Sequence, residues 1–370
     1  METDEDAFRV SLSPTPPLPT AVRHRCAACF KQYKKKDHLI EHMKTSYHSV
    51  HQPKCGVCQK YCRSFQSLRE HIHGPLSKSY CSSIFAEKGC ILCLKVFDSV
   101  DSLAHHNDSC QLLAPFPLDM IKTTCVLSEI AGESDGGHKA VAIACEMVGG
   151  GSNGSLDLCA RVCLVDEAEK LLFHTYVLPQ IPVTDYRFEV TGIKEELLRD
   201  AMPLVEVQEK ILRILYNGDS MESIRWGSVL AKVLVGHNLE HDLDCLRVNY
   251  PDHLLRDTAK YQPLMKTNLV SYSLKYLTKT YLGYEIQNGA HDPYEDCVSA
   301  MRLYKQMRSQ DHQMNKTGWS LLPIEDSQSS SRAFDSFASV ELDQMTPDEL
   351  FRISTSNYRC WCLDSLGQVL

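Results

Sequence analysis

The sequence predicts an α/β domain built on a mixed five-stranded sheet, preceded by small zinc-binding modules. Three observations carry this. Cys and His residues recur three times at metal-ligand spacing before residue 112. From Lys139 the chain turns into three consecutive short apolar runs separated by turn residues. Strand-like and helix-like runs then alternate to residue 309.

The bulk properties agree with that division. A chain of 370 residues with 43% hydrophobic and 23% charged residues is globular, with room for one large domain and several small ones. No run of about 18 apolar residues exists, so no membrane span is expected. The segment Met1–Asp6 is acidic and is not read as a signal peptide. Without such a signal, the 17 cysteines read as reduced thiols and metal ligands rather than disulfides. Charge is uneven. Residues 21–113 hold 14 Lys and Arg against 7 Asp and Glu, a net of +7 that leaves −15 for the rest of a chain of net −8. A basic N-terminal third on an acidic protein points to nucleic acid as a partner.

The first module is Cys26-x2-Cys29-x12-His42-x5-His48, with Tyr33 and Leu39 at the positions of a finger's small core. The second is Cys55-x2-Cys58-x12-His71 with Cys62 and Leu68 as core. Its fourth ligand is open between His73, too close for the usual helical geometry, and Cys81, reached through Gly74-Pro75; Cys81 is favoured. The third is Cys90-x2-Cys93-x12-His106-x3-Cys110, with Phe97 and Leu103 as core. A unit of about 25 residues buries too little apolar surface to fold alone, and zinc supplies the difference. Lys31 and Lys34-Lys35-Lys36 are placed to meet phosphates. The long His-x5-His spacing is similar to that of fingers that bind double-stranded RNA, so RNA is favoured over DNA.

Residues 1–20, acidic and then rich in proline, read as disordered. Residues 21–112 hold the three zinc units, 113–138 read as a linker and 139–312 as the α/β domain. Residues 313–344 read as a second disordered linker and 345–370 as a tail. Thr346-Pro347-Asp348-Glu349 has the signature of a helix start. Tyr358-Arg359-Cys360-Trp361-Cys362 offers itself either to the α/β domain or to a protein partner, and its Cys-x-Cys pair is assigned no metal.

Within 139–312, Ala140–Val148, Asp157–Val165 and Leu171–Leu178 read as strands, joined closely enough to be antiparallel. Helical patterns follow at Lys194–Ala201 and Val205–Leu215. Strand Ala231–Val235 runs into a helix from Leu239. Strand His253–Asp257 precedes helices near Ser273–Leu282 and at Pro293–Arg308. Three antiparallel strands followed by alternating strand and helix is the order of the RNase H-like fold.

Three acidic motifs sit on this frame: Ala144-Cys145-Glu146-Met147-Val148-Gly149, Gly236-His237-Asn238-Leu239-Glu240-His241-Asp242, and His291-Asp292-Pro293-Tyr294-Glu295-Asp296. Together they resemble the three motifs of the DEDDh 3′→5′ exonucleases, and the match is nearest to the RNA exonuclease 4 type. The resemblance covers residues 139–309. It implies an RNase H-like exonuclease domain in which Glu146, Asp242 and Asp296 hold magnesium or manganese and His291 is the general base on water. It also implies substrate contacts from Met147, Arg187 and His237, and a nuclear setting. In that family an Asp stands where this chain has Ala144. A methyl binds no cation, and no neighbour replaces the lost carboxylate: Cys145 points to the opposite strand face. Two readings follow. One is a 3′→5′ exonuclease, most naturally on RNA and slowed by Ala144. The other is a catalytically inactive RNA- or DNA-binding protein that keeps the fold.

Overall fold

The computed structural model describes residues 23–46, 53–75, 77–118, 140–217, 231–310, 342, 344–346, 349–350 and 359–366. The first module is a two-residue hairpin, β1 (His24–Arg25) and β2 (Gln32–Tyr33), followed by helix α1 (Lys36–Thr45). The second repeats this with a single bridge, Lys54 to Tyr61, and helix α2 (Phe65–His73), whose N-cap Ser64 accepts from the Ser67 amide. Helix α3 (Ser79–Lys88) intervenes and carries Cys81 in its first turn. The third module has the bridge Gly89 to Val96 and helix α4 (Val100–Cys110).

The α/β domain begins with β3 (Ala140–Gly150), a run apolar on both faces. Gly151 and Gly154, both at positive φ (79° and 71°), turn the chain into β4 (Leu156–Asp166). Then follow β5 (Leu171–Leu178), β6 (Val183–Asp185), the short helices α5 (Phe188–Thr191) and α6 (Glu195–Leu198), and β7 (Met202–Pro203). Helix α7 (Leu204–Leu215) buries Leu204, Val207, Ile211 and Leu215 at helical spacing. Strand β8 (Val233–Gly236) leads into α8 (Leu239–Leu246), and β9 (Leu255–Asp257) closes the sheet edge. Helix α9 (Leu274–Leu277) continues as a π-helical turn (Thr278–Leu282), and α10 (Pro293–Arg308) ends the domain.

The central strands run β5-β4-β3-β8-β9. The first three are antiparallel, and β8 and β9 are parallel to β3. This is the mixed five-stranded sheet expected from the sequence. Two strands too short to show any periodicity, β6 on β3 and β7 on β5, bring the count to seven. One face, with Val141, Ile143, Val162 and Leu164, packs on α7 and α8. The other, with Ala140, Ala142, Cys163 and Val235, packs on α10.

The second and third modules are not free-standing. Phe65 and Leu68 share the α10-side core. The Phe65 ring meets Tyr281 edge-on at 5.8 Å, and Arg69 donates to the carbonyls of Leu92 (3.3 Å) and Thr280 (3.1 Å). The segment after α4 also lies on the domain. The Leu112 amide donates to the Leu282 carbonyl (3.0 Å), Arg302 donates to the Leu113 carbonyl (2.6 Å), and the Leu118 amide donates to Asp292 (2.6 Å). The start of the expected linker, residues 113–118, is therefore docked. Residues 119–138 lie outside the described residues, as do 1–20 and 313–340.

The tail folds back twice. Leu342 and Leu350 pack with Leu39 and Met43 of the first module, and Thr346 and Glu349 form the reciprocal cap. A 3-10 helix, Trp361–Leu366, seats Trp361 flat on Tyr261, 3.8 Å between centroids and 10° from parallel. Asp364 takes both Arg256 Nε (2.7 Å) and a terminal nitrogen (2.8 Å), and the Tyr304 hydroxyl donates to it at 3.0 Å. Both charged side chains are nearly inaccessible, at 3% and 2%. Removing one partner strands the other charge in a dry site. Asp364→Ala is expected to lower the urea unfolding midpoint by the equivalent of about 3–5 kcal/mol. An unchanged midpoint would mean that the tail contributes nothing to the folded domain.

Candidate active site

Successive side chains of a strand alternate between faces, so Ala140, Ala142, Ala144 and Glu146 form one row on β3, directed at α10. Glu146 ends the row, 5% exposed. Asp296 stands on the first turn of α10, whose start is fixed by Asp292 accepting from the Tyr294 amide (3.1 Å) with Pro293 at the first position. His291 precedes this cap, its amide donating to the Val190 carbonyl at 2.6 Å. Single ligand atoms of Glu146, His291 and Asp296 all lie within 4.8 Å of one another. Asp242, 8% exposed on α8, is outside that group, yet its charge still acts on Glu146.

Burial and the neighbouring Asp296 push the Glu146 carboxyl up to about 8, with Arg161 opposing. Burial pushes Asp296 up to about 7 although the Gln287 amide donates to both its oxygens, at 3.1 and 3.0 Å. Asp242 is raised well above the ordinary carboxylate range by burial, Asp257 and Asp296. His291 is lowered by burial and by Lys275. Three buried carboxylates with so little positive charge around them, and a neutral imidazole beside two of them, form a donor set suited to a hard divalent cation. Ala144 sits in the same row, half-buried against the α10-side core, and offers no ligand atom.

Residues 141–304 match the family model described as Exonuclease, RNase_T. The α/β domain is an exonuclease domain. Its relatives include RNA exonuclease 4 of Homo sapiens, 34% identical over 54% of this chain and 44% of that protein. RNA exonuclease 4 of Cryptococcus neoformans var. neoformans serotype D (strain JEC21) is 35% identical over 54% and 47%. That of Saccharomyces cerevisiae is 34% identical over 46% and 55%. The chain thus spans about half the length of the curated relatives it matches. Among solved structures, the Saccharomyces cerevisiae Pan2 pseudoubiquitin hydrolase-RNA exonuclease module in complex with AAGGAA RNA is 24% identical over 57% of this chain and 35% of that one, with a TM-score of 0.41.

The remaining expected site residues, Met147, Arg187 and His237, each have partners of their own. Met147 follows a register shift in β3 and packs into the α7/α8-side core, 9% exposed. Arg187 is bound to Asp157 (2.6 Å) and the Gly154 carbonyl (3.0 Å). His237 shares a hydrogen bond with Thr258 (2.9 Å) and is lowered by burial. Two neighbours of the site escaped the sequence reading. Arg161 lies directly opposite Glu146 in the β3–β4 register, 7% exposed, bonded to His174 (2.8 Å) and 3.5 Å from Asp292. A lone cation in the apolar run Cys159–Val165 was the available signal. Gln287 had none; it adopts a left-handed backbone (φ 57°) between two elements.

The exonuclease domain carries the three Cys/His clusters on its N-terminal side. Cys55, Cys58, His71 and Cys81 converge, as do Cys90, Cys93, His106 and Cys110, and Cys26, Cys29 and His42 form the third group. His48 lies outside the described residues. His73, the other option for the second module, packs edge-on against Phe85 at 5.1 Å and is not one of the four converging residues. Thiolate and imidazole at these spacings suit zinc.

Two predictions follow from this geometry. Cys81→Ser is expected to remove one equivalent of bound zinc by elemental analysis while His73→Ala keeps it; the reverse pattern would reassign the ligand. The second concerns pH. Glu146 and Asp296 are raised from ordinary values of 4.5 and 3.8 to about 8 and about 7, so between those limits the folded state binds more protons than the unfolded. Stability should therefore fall as pH rises from about 5 to about 8 in buffer free of divalent cations. Magnesium should reduce the fall, and Glu146→Gln should flatten it. A thermal midpoint with the same pH dependence in both proteins would contradict this.

Proposed function

We propose that the chain is a metal-dependent 3′→5′ exonuclease acting on RNA, with turnover held low by Ala144. The observation that carries the reading is the convergence of Glu146, His291 and Asp296 within 4.8 Å, with Asp242 buried close by. Glu146, Asp242 and Asp296 would hold magnesium or manganese. The bound ions would polarise the phosphoryl oxygen and lower the pKa of the attacking water. His291, kept neutral by burial and Lys275, accepts the water's proton at a ring nitrogen. Gln287 fixes the Asp296 carboxylate through both oxygens, so that acid is oriented before substrate arrives. The names of the relatives support RNA as substrate, and zinc in the Cys/His clusters would complete the cofactors.

Ala144 supports a second reading, a catalytically inactive nucleic-acid binder. The strand row delivers a methyl where another carboxylate would face the site, leaving three acids to share two ions.

The experiment is a turnover assay on 5′-labelled RNA and DNA, with free or 3′-phosphorylated ends, in magnesium and in manganese, beside Ala144→Asp. The substitution is expected to raise activity at least ~100-fold, because it completes the ligand set. Cleavage should need a free 3′ end and favour RNA. Equal, robust activity in both proteins would overturn the role given to Ala144. Absence of cleavage by Ala144→Asp would leave the binder.

A further inference from the structure

A second feature of the exonuclease domain lies beside the carboxylates, on and before helix α9. Tyr272 and Tyr276 are stacked, ring centroids 4.0 Å apart and 13° from parallel. Lys266 Nζ lies 5.2 Å from the Tyr272 centroid. Lys275 Nζ donates to the Gln287 carbonyl and to Asn288 Oδ1, both at 3.0 Å. Two of its three N–H donors are thereby used and one remains. No carboxylate pairs with Lys266 or Lys275 among the described residues, whereas Lys279, one turn on, is bound to Glu285 at 2.6 Å.

This pair is unlike the other tyrosines of the segment. Tyr281 and Tyr284 are 1% and 7% exposed and belong to the core; Tyr276 is 37% exposed. Core packing accounts for Tyr272, which lies against the α10-side cluster and backs its neighbour. It does not account for the exposed ring stacked on top. The position is also specific. Lys275 is bound to the backbone of Gln287, the residue that holds Asp296, and its charge reaches His291. On the other flank, Glu70 of α2 acts on Tyr272, and Arg69 is bonded to the Thr280 carbonyl. The pair therefore bridges the carboxylates and the second module. A flat aromatic face beside two ammonium groups that make no ion pair among the described residues, although Lys275 also acts on Glu285 and Glu295 at longer range, is complementary to one kind of ligand, an anionic strand bearing aromatic bases.

We propose that Tyr276, backed by Tyr272, is a stacking platform for a base of single-stranded nucleic acid a short way upstream of the end held at the carboxylates, with Lys266 and Lys275 taking the flanking phosphates. This rests on the exonuclease reading of the site and extends it to how the strand is held outside the reacting bond.

The test uses the full zinc-loaded chain, a short fluorescein-labelled single strand and anisotropy titrations without magnesium. Tyr276→Ala is expected to weaken binding about 5- to 10-fold, the loss typical of one stacked base, while Tyr276→Trp keeps or tightens it. Lys266→Ala should lower the slope of log K against log salt by about 0.7, one phosphate contact. In a series of strands lacking one base at successive positions, one position should weaken the unsubstituted protein by the same factor and have no further effect on Tyr276→Ala, because the two losses are one interaction. Unchanged affinity in Tyr276→Ala and Lys266→Ala would overturn the platform, as would Tyr276→Trp failing as badly as alanine. If those variants bind and cut like the unsubstituted chain, the platform alone falls. If the unsubstituted chain binds no single strand, the exonuclease reading falls with it.

Discussion

The close approach of helix α10 to strands β3 and β4 is the constraint on which the site depends. Small side chains make it possible: Ala140 and Ala142 on β3, Cys163 on β4, Cys297 and Ala300 on the helix. The Cys297 thiol reaches the Cys163 carbonyl at 3.1 Å, so helix and sheet are in contact one residue from Asp296. Larger side chains in that row would lift the helix and separate Asp296 from Glu146. The start of the helix is held at this same end by Asp292. One of its oxygens caps the helix, and the other receives the Leu118 amide from the segment that follows the third module. The N-terminal modules are thus tied to the same helix that carries the acid.

The same packing creates an electrostatic cost. Glu146, Asp242 and Asp296 are brought out of water near one another, and each is pushed toward its protonated form. Arg161 offsets part of this for Glu146, but its guanidinium is shared with His174 and Asp292 and does not reach all three acids equally. Uncompensated carboxylates in a dry cleft are unfavourable for folding and favourable for cation binding, and the two effects have one cause. Gln287 adds order: by donating to both oxygens of Asp296 it selects one carboxylate orientation.

The sequence made legible the parts with a period or a motif. The bounds of α10 agree with the reading, as do the three antiparallel strands, because their apolar runs are long and bounded by turn residues. Strands β6 and β7, of three and two residues, have no period to read. Helix α3 leaves no period to read, because Ser79–Lys88 mixes serines with scattered apolar residues and has no side-chain N-cap bond. The docking of Phe65 and Arg69 on Tyr281 and Thr280 joins residues about two hundred positions apart, and no local pattern announces such a contact. The acidic cluster was legible from its motif offsets. The resemblance implied substrate contacts from Met147, Arg187 and His237; in the structure these side chains meet a core, an ion pair and Thr258.

Ala144 joins these strands of argument. Its place in the row that seats α10 makes a methyl the side chain that packing would choose, for the same reason that Ala140 and Ala142 precede it. A carboxylate there would add another negative charge to three that are already short of counter-charge, and without bound cations it would raise the cost of folding. Alanine removes that cost and one metal ligand together. On the exonuclease reading proposed above, alanine at this position would exchange catalytic charge for stability where the two conflict. The surrounding acids, the Gln287 clamp and the His291 placement do not need position 144 to form. The fold can keep its cluster of Glu146, His291 and Asp296 whatever residue stands at position 144.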